Sequence, residues 1–175
     1  MTKEAGVSTF RLYAQLFGEV ARAVVERFGV EGEEAIRAGV REFGLKRGAR
    51  IAAAVREKGL PLDLPNYIGN YDMQRSGSFD FENSNLSPDR LEQDFKACPL
   101  WETWKEEGLE SVGLLYCHEI DGAILKGYNL RGRVEHIFHP SRGDASCRML
   151  YRIEEEDKEG AAIYDHFDGR PNEEG

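Results

Sequence analysis

The stretch "CPLWETWKEEGLESVGLLYCHEIDGAILKGYNL", residues 98–130, carries two of the chain's three cysteines, Cys98 and Cys117; the third is Cys147. A thiol attacks carbon as thiolate, and a free cysteine with pKa ~8.5 needs a cation or a helix N-terminus beside it to reach that state. Cys117 and Asp121 stand four residues apart, so on a helix they share one face within a turn of each other. Asp121 falls on the apolar side of that helix, where a carboxylate must be paired, hydrogen-bonded or protonated. It reads either as a structural cap or ion pair, or as the acid/base of a pocket. His118 adjoins the thiol in sequence but points about 100 degrees away around a helix, so adjacency does not make it the partner base. Asn129, after Gly127 and Tyr128, reads as a cap of the helix end in a left-handed conformation, or as a group that positions a ligand.

The three cysteines also admit other readings. Their spacing matches no standard zinc pattern, since no CxxC occurs. Three thiolates completed by Glu135, His136 or His139 are a physical alternative that would hold zinc or iron. His136 and His139, three apart on an extended strand, face opposite sides and make a weak pair of ligands. Free cysteine also packs as a small hydrophobe, which leaves plain core thiols as a further reading.

These residues need elements to hold them. Residues 8–28 place Phe10, Tyr13, Phe17, Val20, Val24 and Phe28 at helical spacing, with Ser8 or Thr9 as cap and Gly29 as stop. A second helix runs from about Glu31 to Lys58. Its interior carries Gly39, Gly44 and Gly48, each costing about 1 kcal/mol against alanine. Close approach of a neighbouring helix is one reason to accept that cost. The other is that "GLKRGAR" lets a ligand reach the backbone, with Arg47 or Arg50 pairing an anionic group. Residues 60–90 read as loops around a short strand near Gly77 to Phe81. "SPDRLEQDF" fits a capped helical turn, whereas "LEQDFKACP" fits a strand running into Cys98. "LWETWKEEG" is a short helix and "VGLLYCHEIDGAILKGY" a longer one. "GRVEHIFHP" and "CRMLYRI" form a hairpin across the turn "SRGDAS". The expected class is α+β, with N-terminal helices packed against a small antiparallel sheet that ends in a hairpin. One domain spans 1–153, with a helical part at 8–58 and a mixed part at 70–153; residues 154–175 read as an acidic, mobile tail.

The bulk numbers narrow the partners. A chain of 175 residues, 41% hydrophobic and 31% charged, suits one globular domain. A net charge of −9 argues against nucleic acid. No apolar run approaches the roughly 18 residues of a membrane span. An odd cysteine count and an N-terminus without signal-peptide features point to a reduced, cytoplasmic setting. A small-molecule substrate is the partner expected, and a homo-oligomer is left open.

The motifs "CPLWETWKEEG", "LLYCHEIDGAILKGYN" and "RGDASCRM" resemble, in order and at similar separations, the L-2-amino-thiazoline-4-carboxylic acid hydrolase family. "FGVEGEEAIRAGVREFGLKRGARIA" resembles that family's helical N-terminal part, so the likeness covers roughly residues 15–153. It implies a hydrolase without a required cofactor that opens a cyclic amidine to a carbamoyl-cysteine product. The resemblance alone assigns no roles; with the chemistry of the residues themselves, Cys117 is expected as the nucleophile or essential thiol, Asp121 as the acid/base and Asn129 as a positioning group. Cys98, Cys147, Trp101, His118 and an arginine, Arg47 or Arg50, would surround the substrate. A fainter similarity runs to vinyl-4-reductase-type sensor domains, through "VEHIFHPSRGDASCRM". Some of these bind zinc through three cysteines and an acid, but Phe138 stands where one such thiolate is expected. The alternatives on the same scaffold are a small-molecule sensor or a metal-binding domain.

Overall fold

The structure, a computed structural model, describes residues 7–73 and 78–154. The expected acidic tail therefore lies outside the described residues from 155 onward, as does the Gly77 end of the strand expected there. Helix α1 (Thr9–Phe28) starts where the Ser8 hydroxyl accepts the Arg11 N–H at 3.2 Å. It stops at Gly29, whose φ of +58° favours glycine, and α2 (Val30–Glu57) begins at once. The face of α1 differs from the one its large apolar residues suggest. The residues it buries are Ala14, Gly18 and Ala21, while Val20 and Phe28 stand exposed. Small residues face inward because Trp104 lies directly against them: its indole N–H donates to the Ala14 carbonyl at 2.8 Å.

Between residues 60 and 90 the chain forms a short helix, α3 (Leu64–Gly69), that the loop reading missed. The Asp63 carboxylate caps it by accepting the Asn66 N–H at 2.9 Å. Strand β1 (Asp80–Ser84) follows, then β2 (Arg90–Ala97), so the strand reading of "LEQDFKACP" holds and the helical one does not. Ser87 does cap, but it accepts the Arg90 N–H at the start of a strand. Helices α4 (Pro99–Glu106) and α5 (Glu110–Tyr128) lead to β3 (Gly132–Phe138), a 3-10 turn (Pro140–Arg142) and β4 (Cys147–Ile153). The sheet is antiparallel throughout, in the order β1-β2-β4-β3. This is the α+β architecture expected, with a helical layer on one face of the sheet. Among the described residues no helix is long and apolar enough to cross a membrane.

Helices α2 and α5 cross at backbone distance. A Cβ on Gly44 would sit 2.6 Å from the Ala123 Cβ, and one on Gly48 would sit 2.6 Å from the Tyr128 nitrogen. Gly127 of α5 meets Leu45 of α2 in the same way. Two of the three interior glycines of α2 thus serve helix packing. Gly39 has nothing within 4 Å, and its glycine has no packing explanation.

Candidate active site

Helix α5 carries Tyr116, Cys117, Ile120 and Asp121 into a cavity of about 310 Å³ between the helical layer and the sheet. Cys98, at the N-terminal boundary of α4, and Cys147, at the first residue of β4, reach the same cavity. The register explains the convergence. Cys147 pairs with Phe95 three residues before Cys98, so one sulfur enters from β4, one from just past the end of the neighbouring β2 and the third from α5. All three thiols are free.

Burial decides their protonation. It pushes Cys117 well above the ordinary thiol range, and the neighbouring Cys98, Cys147 and Asp121 push it further. Burial also raises Cys98, to about 11, although the Trp101 and Leu100 N–H groups oppose this. Cys147 is raised likewise, by burial and then by Asp121. The thiols lining the cavity are therefore neutral at neutral pH. Asp121 accepts from the Tyr151 hydroxyl at 3.4 Å, a long and weak bond.

Arg47, 5% exposed, lines the cavity from α2. Its Nε lies 3.1 Å and its Nη2 2.5 Å from Oδ1 of Asp72, a two-pronged grip on one carboxylate. Burial opposes its charge, but Asp72 outweighs that and holds the guanidinium firmly protonated. The Tyr71 ring stacks beside it, 5.3 Å from the guanidinium carbon. Trp101 lines the cavity as well, edge-on to His139 at 5.0 Å between ring centroids.

Four residues expected at the site lie elsewhere. Asn129 ends α5, with an extended backbone at φ −140° in place of a left-handed one. Its Nδ2 donates to the Leu62 carbonyl at 2.9 Å and its Oδ1 accepts the Arg131 N–H at 3.0 Å, so both amide atoms serve the chain. Arg50 is exposed, reaching back to Asp72 at 3.1 Å from outside. Glu135 points to solvent on β3, which removes it as fourth partner of the thiols. His118 does not line the cavity; it packs behind it, 6.5 Å from His136 and 6.4 Å from His139 between ring centroids. Among the described residues no group of three or more His, Cys, Asp or Glu is arranged to hold a metal ion.

His136 and His139 were expected on opposite sides, and both line the cavity. A bulge causes this: His136 pairs with Met149 and Phe138 with Arg148, so β3 spends two steps where β4 spends one. The extra residue turns His139 onto the side of His136, and their ring centroids are 5.8 Å apart. Burial pushes His136 down to about 3, helped by the other two imidazoles, and His139 down to about 4. Both rings are neutral at physiological pH. No pattern in "VEHIFHP" announces a bulge; Pro140, which breaks the strand one residue later, is the nearest signal.

With this geometry in place, three comparisons with known proteins can be read. The profile described as L-2-amino-thiazoline-4-carboxylic acid hydrolase matches residues 9–151. A search of curated proteins finds no match. Among solved structures, the chain is similar to a trafficking protein particle complex subunit 3 from Naegleria fowleri, covalently bound to palmitic acid. The likeness has a TM-score of 0.52 at 17% identity, covering 86% of this chain and 98% of that one. At that identity the likeness speaks for a shared fold alone. The match over 9–151 takes in every element from α1 to all but the last residues of β4, with all three cysteines, Asp121 and Arg47: the chain belongs to the L-2-amino-thiazoline-4-carboxylic acid hydrolase family.

Proposed function

We propose that the protein is a hydrolase that opens a cyclic amidine acid such as 2-amino-thiazoline-4-carboxylate, with Cys117 as nucleophile and Asp121 as acid/base. The observation that carries this reading is the convergence of three thiols, the Asp121 carboxyl and the buried Arg47 guanidinium on a single cavity of about 310 Å³. That volume lies at the small end of ligand sites and suits a compact acid. The substrate supplies a cation to thiols that the protein itself holds neutral. Its amidinium is a cation, and a cation beside Cys117 lowers the thiol that burial has raised.

Asp121 then takes the Cys117 proton, and the sulfur adds to the amidinium carbon. The ring bond from that carbon breaks, its electron pair going to the departing ring heteroatom, which recovers the proton from Asp121. Water next adds to the same carbon and gives a proton to Asp121. The new hydroxyl passes its remaining proton to the departing Cys117 sulfur as the C=O forms, which leaves a carbamoyl group and restores the thiol, and Asp121 releases its proton to solvent. The net change is one water consumed and one ring bond cut. Arg47 is the buried cation of the lining and meets the substrate carboxylate beside Asp72, which keeps its guanidinium charged.

Turnover of thiazoline and amidine acids by the purified protein, followed by mass spectrometry, is the direct test. Cys117→Ser and Asp121→Asn are each expected to lose at least about a hundredfold in kcat with unchanged circular dichroism. Full activity in both variants would overturn the mechanism.

The neutral, buried thiols also favour a second reading, a module that holds a small ligand without turning it over. The Naegleria fowleri protein of similar fold is covalently bound to palmitic acid, which supports a holding role here. Saturable binding with no product in the same assay would select it.

A further inference from the structure

The bulge that brings His139 to the cavity also fixes its tautomer. His139 precedes the 3-10 turn at Pro140–Arg142 and caps it with its ring. Its Nδ1 accepts the Ser141 backbone N–H at 3.2 Å and lies 2.8 Å from the Ser141 hydroxyl. A backbone N–H can only donate, so Nδ1 must offer a lone pair, and a neutral ring then carries its proton on Nε2. The residue is pinned on every side. Its own N–H donates to Asp144 at 2.8 Å, Trp101 packs edge-on against the ring, and 3% of the residue is exposed. Among the described residues the ring's hydrogen-bond partners are both Ser141 groups at Nδ1, so Nε2–H is what His139 has left for the cavity it lines.

We infer that His139 is a further catalytic residue: a neutral imidazole held as its Nε2–H tautomer, which donates to the carbamoyl oxygen formed when water adds to the amidinium carbon. This rests on the hydrolase reading above. A neutral donor is what that chemistry requires. The substrate arrives as a cation, and an imidazolium in the wall would repel it. A neutral N–H donates to the lone pair of the new oxygen as that oxygen's remaining proton passes to the Cys117 sulfur and carbonyl character develops. It does so without opposing the cationic substrate, and a donor fixed in advance costs no rearrangement in that step. The burial that holds His139 down to about 4 agrees with the hydrogen-bond pattern. Protonating Nδ1 would turn it from acceptor to donor and set it against the Ser141 N–H.

Three measurements on the full chain test this. The first is a long-range ¹H–¹⁵N correlation of histidine-labelled protein at pH 7. It should show His139 with a bare Nδ1 and a protonated Nε2; an Nδ1–H ring or an imidazolium there would overturn the proposal. The second uses two substitutions that split the ring. His139→Asn keeps an acceptor for the turn but has nothing at the Nε2 position, and asparagine is a good cap. It should fold as the parent does and lose about a hundredfold in kcat with little change in KM. His139→Gln places an amide N–H near the Nε2 position and should keep turnover within about tenfold of the parent. The third is calorimetric binding of N-carbamoyl-cysteine, whose carbamoyl oxygen is already formed. His139→Asn should bind it about tenfold more weakly, and His139→Gln about as well as the parent.

The outcomes separate the two claims. A His139→Asn variant that opens the ring at the parental rate overturns the donor and leaves the hydrolase standing. A parent that opens no ring but loses the ureido acid on His139→Asn overturns the hydrolase and leaves the donor. A parent that neither opens the ring nor binds the product overturns both.

Discussion

Helix α5 turns one side to α2 and the other to the sheet, and the two sides are packed in opposite ways. Toward α2 the backbones themselves touch: Gly44, Gly48 and Gly127 leave no room for a single added carbon. Toward the sheet the same helix presents Cys117 and Asp121 to a space of about 310 Å³. A helix that bounds a hollow lacks support on that side, and interiors otherwise pack at crystal density. The glycine contact supplies the missing support from behind. It fixes the height and rotation of α5, and through them the place of the thiol and the carboxylate one turn later. The two sides differ in kind: one sets position and has no chemistry, the other has the chemistry and little packing.

The sharpest way to break this comparison is to thicken the α2–α5 contact. Gly48→Val puts branched carbon where even a Cβ would lie 2.6 Å from the Tyr128 nitrogen and closer still to the Ile124 carbonyl. Both obstacles are backbone, which cannot rotate aside. Overpacking of this kind should cost about 3 kcal/mol or more, read as a large fall in Tm together with loss of any ring opening. The matching change on the other side, Cys117→Ser, should spare Tm and remove turnover. Should Gly48→Val melt like the parent, α5 is not positioned from behind, and the division of labour fails.

A second test separates the sides by pH. The imidazoles of His136 and His139 belong to the cavity side, held by burial at about 3 and about 4. In the unfolded chain they return to about 6.5. Between those limits the unfolded state binds more protons, so stability rises with pH. Their contribution is full above about pH 6.5 and is lost as the pH falls toward 4. Each ring adds a slope of at most about 1.4 kcal/mol per pH unit. Burial works to raise Asp72 and Asp94, but Arg47 overcomes it at the first and Lys96, Ser146 and Arg148 at the second, so both lie below the ordinary carboxylate range. They lose stability chiefly below about pH 4, which leaves the window above it to the imidazoles. A plot of Tm against pH for His136→Phe should be flatter than the parent's from 6.5 to 4. An identical slope would mean that these rings are not neutral in the folded chain.

The same contrast explains what could be read from residue order. The glycine contact was legible because glycine inside a helix carries a known cost and backbone approach is its commonest reason. The pairing of Cys117 with Asp121 was legible because both lie on one continuous helix, where spacing fixes direction. The meeting of Cys98 and Cys147 depends on strand register, which spacing along the chain does not give. His136 and His139 were assigned to opposite sides by the rule of alternation, and one bulged residue reversed it. The face of α1 went astray for a related reason. Its large residues keep helical spacing, and Phe10 and Phe17 do pack on the core, yet Trp104 sits closest to Ala14 and Gly18 while Val20 and Phe28 stay exposed. Local periodicity identifies an element, while the size of its partner decides which face is covered.

Asn129 gives the finest test, because it stands where the two sides of α5 end and was expected to join the chemistry. Its side chain holds the Leu62 carbonyl at 2.9 Å and the Arg131 N–H at 3.0 Å, tying the end of α5 to the segment before α3 and to the start of the hairpin. Tyr128, one residue earlier, reinforces that tie by donating to the Asp63 carbonyl at 2.9 Å. Losing the amide removes two bonds to backbone at a half-buried position, at about 1 kcal/mol net for each. Asn129→Ala should therefore lower Tm by a few degrees and leave kcat and KM within about twofold, because the cavity wall above Asp121 is braced by α2 and not by the helix end. Asn129→Asp keeps the acceptor for Arg131 but puts an acceptor opposite the Leu62 carbonyl. It should cost at least as much stability and as little rate. A rate that collapses at parental Tm in either variant would place Asn129 with the reacting groups and move the boundary between the two sides about two turns toward the end of the helix.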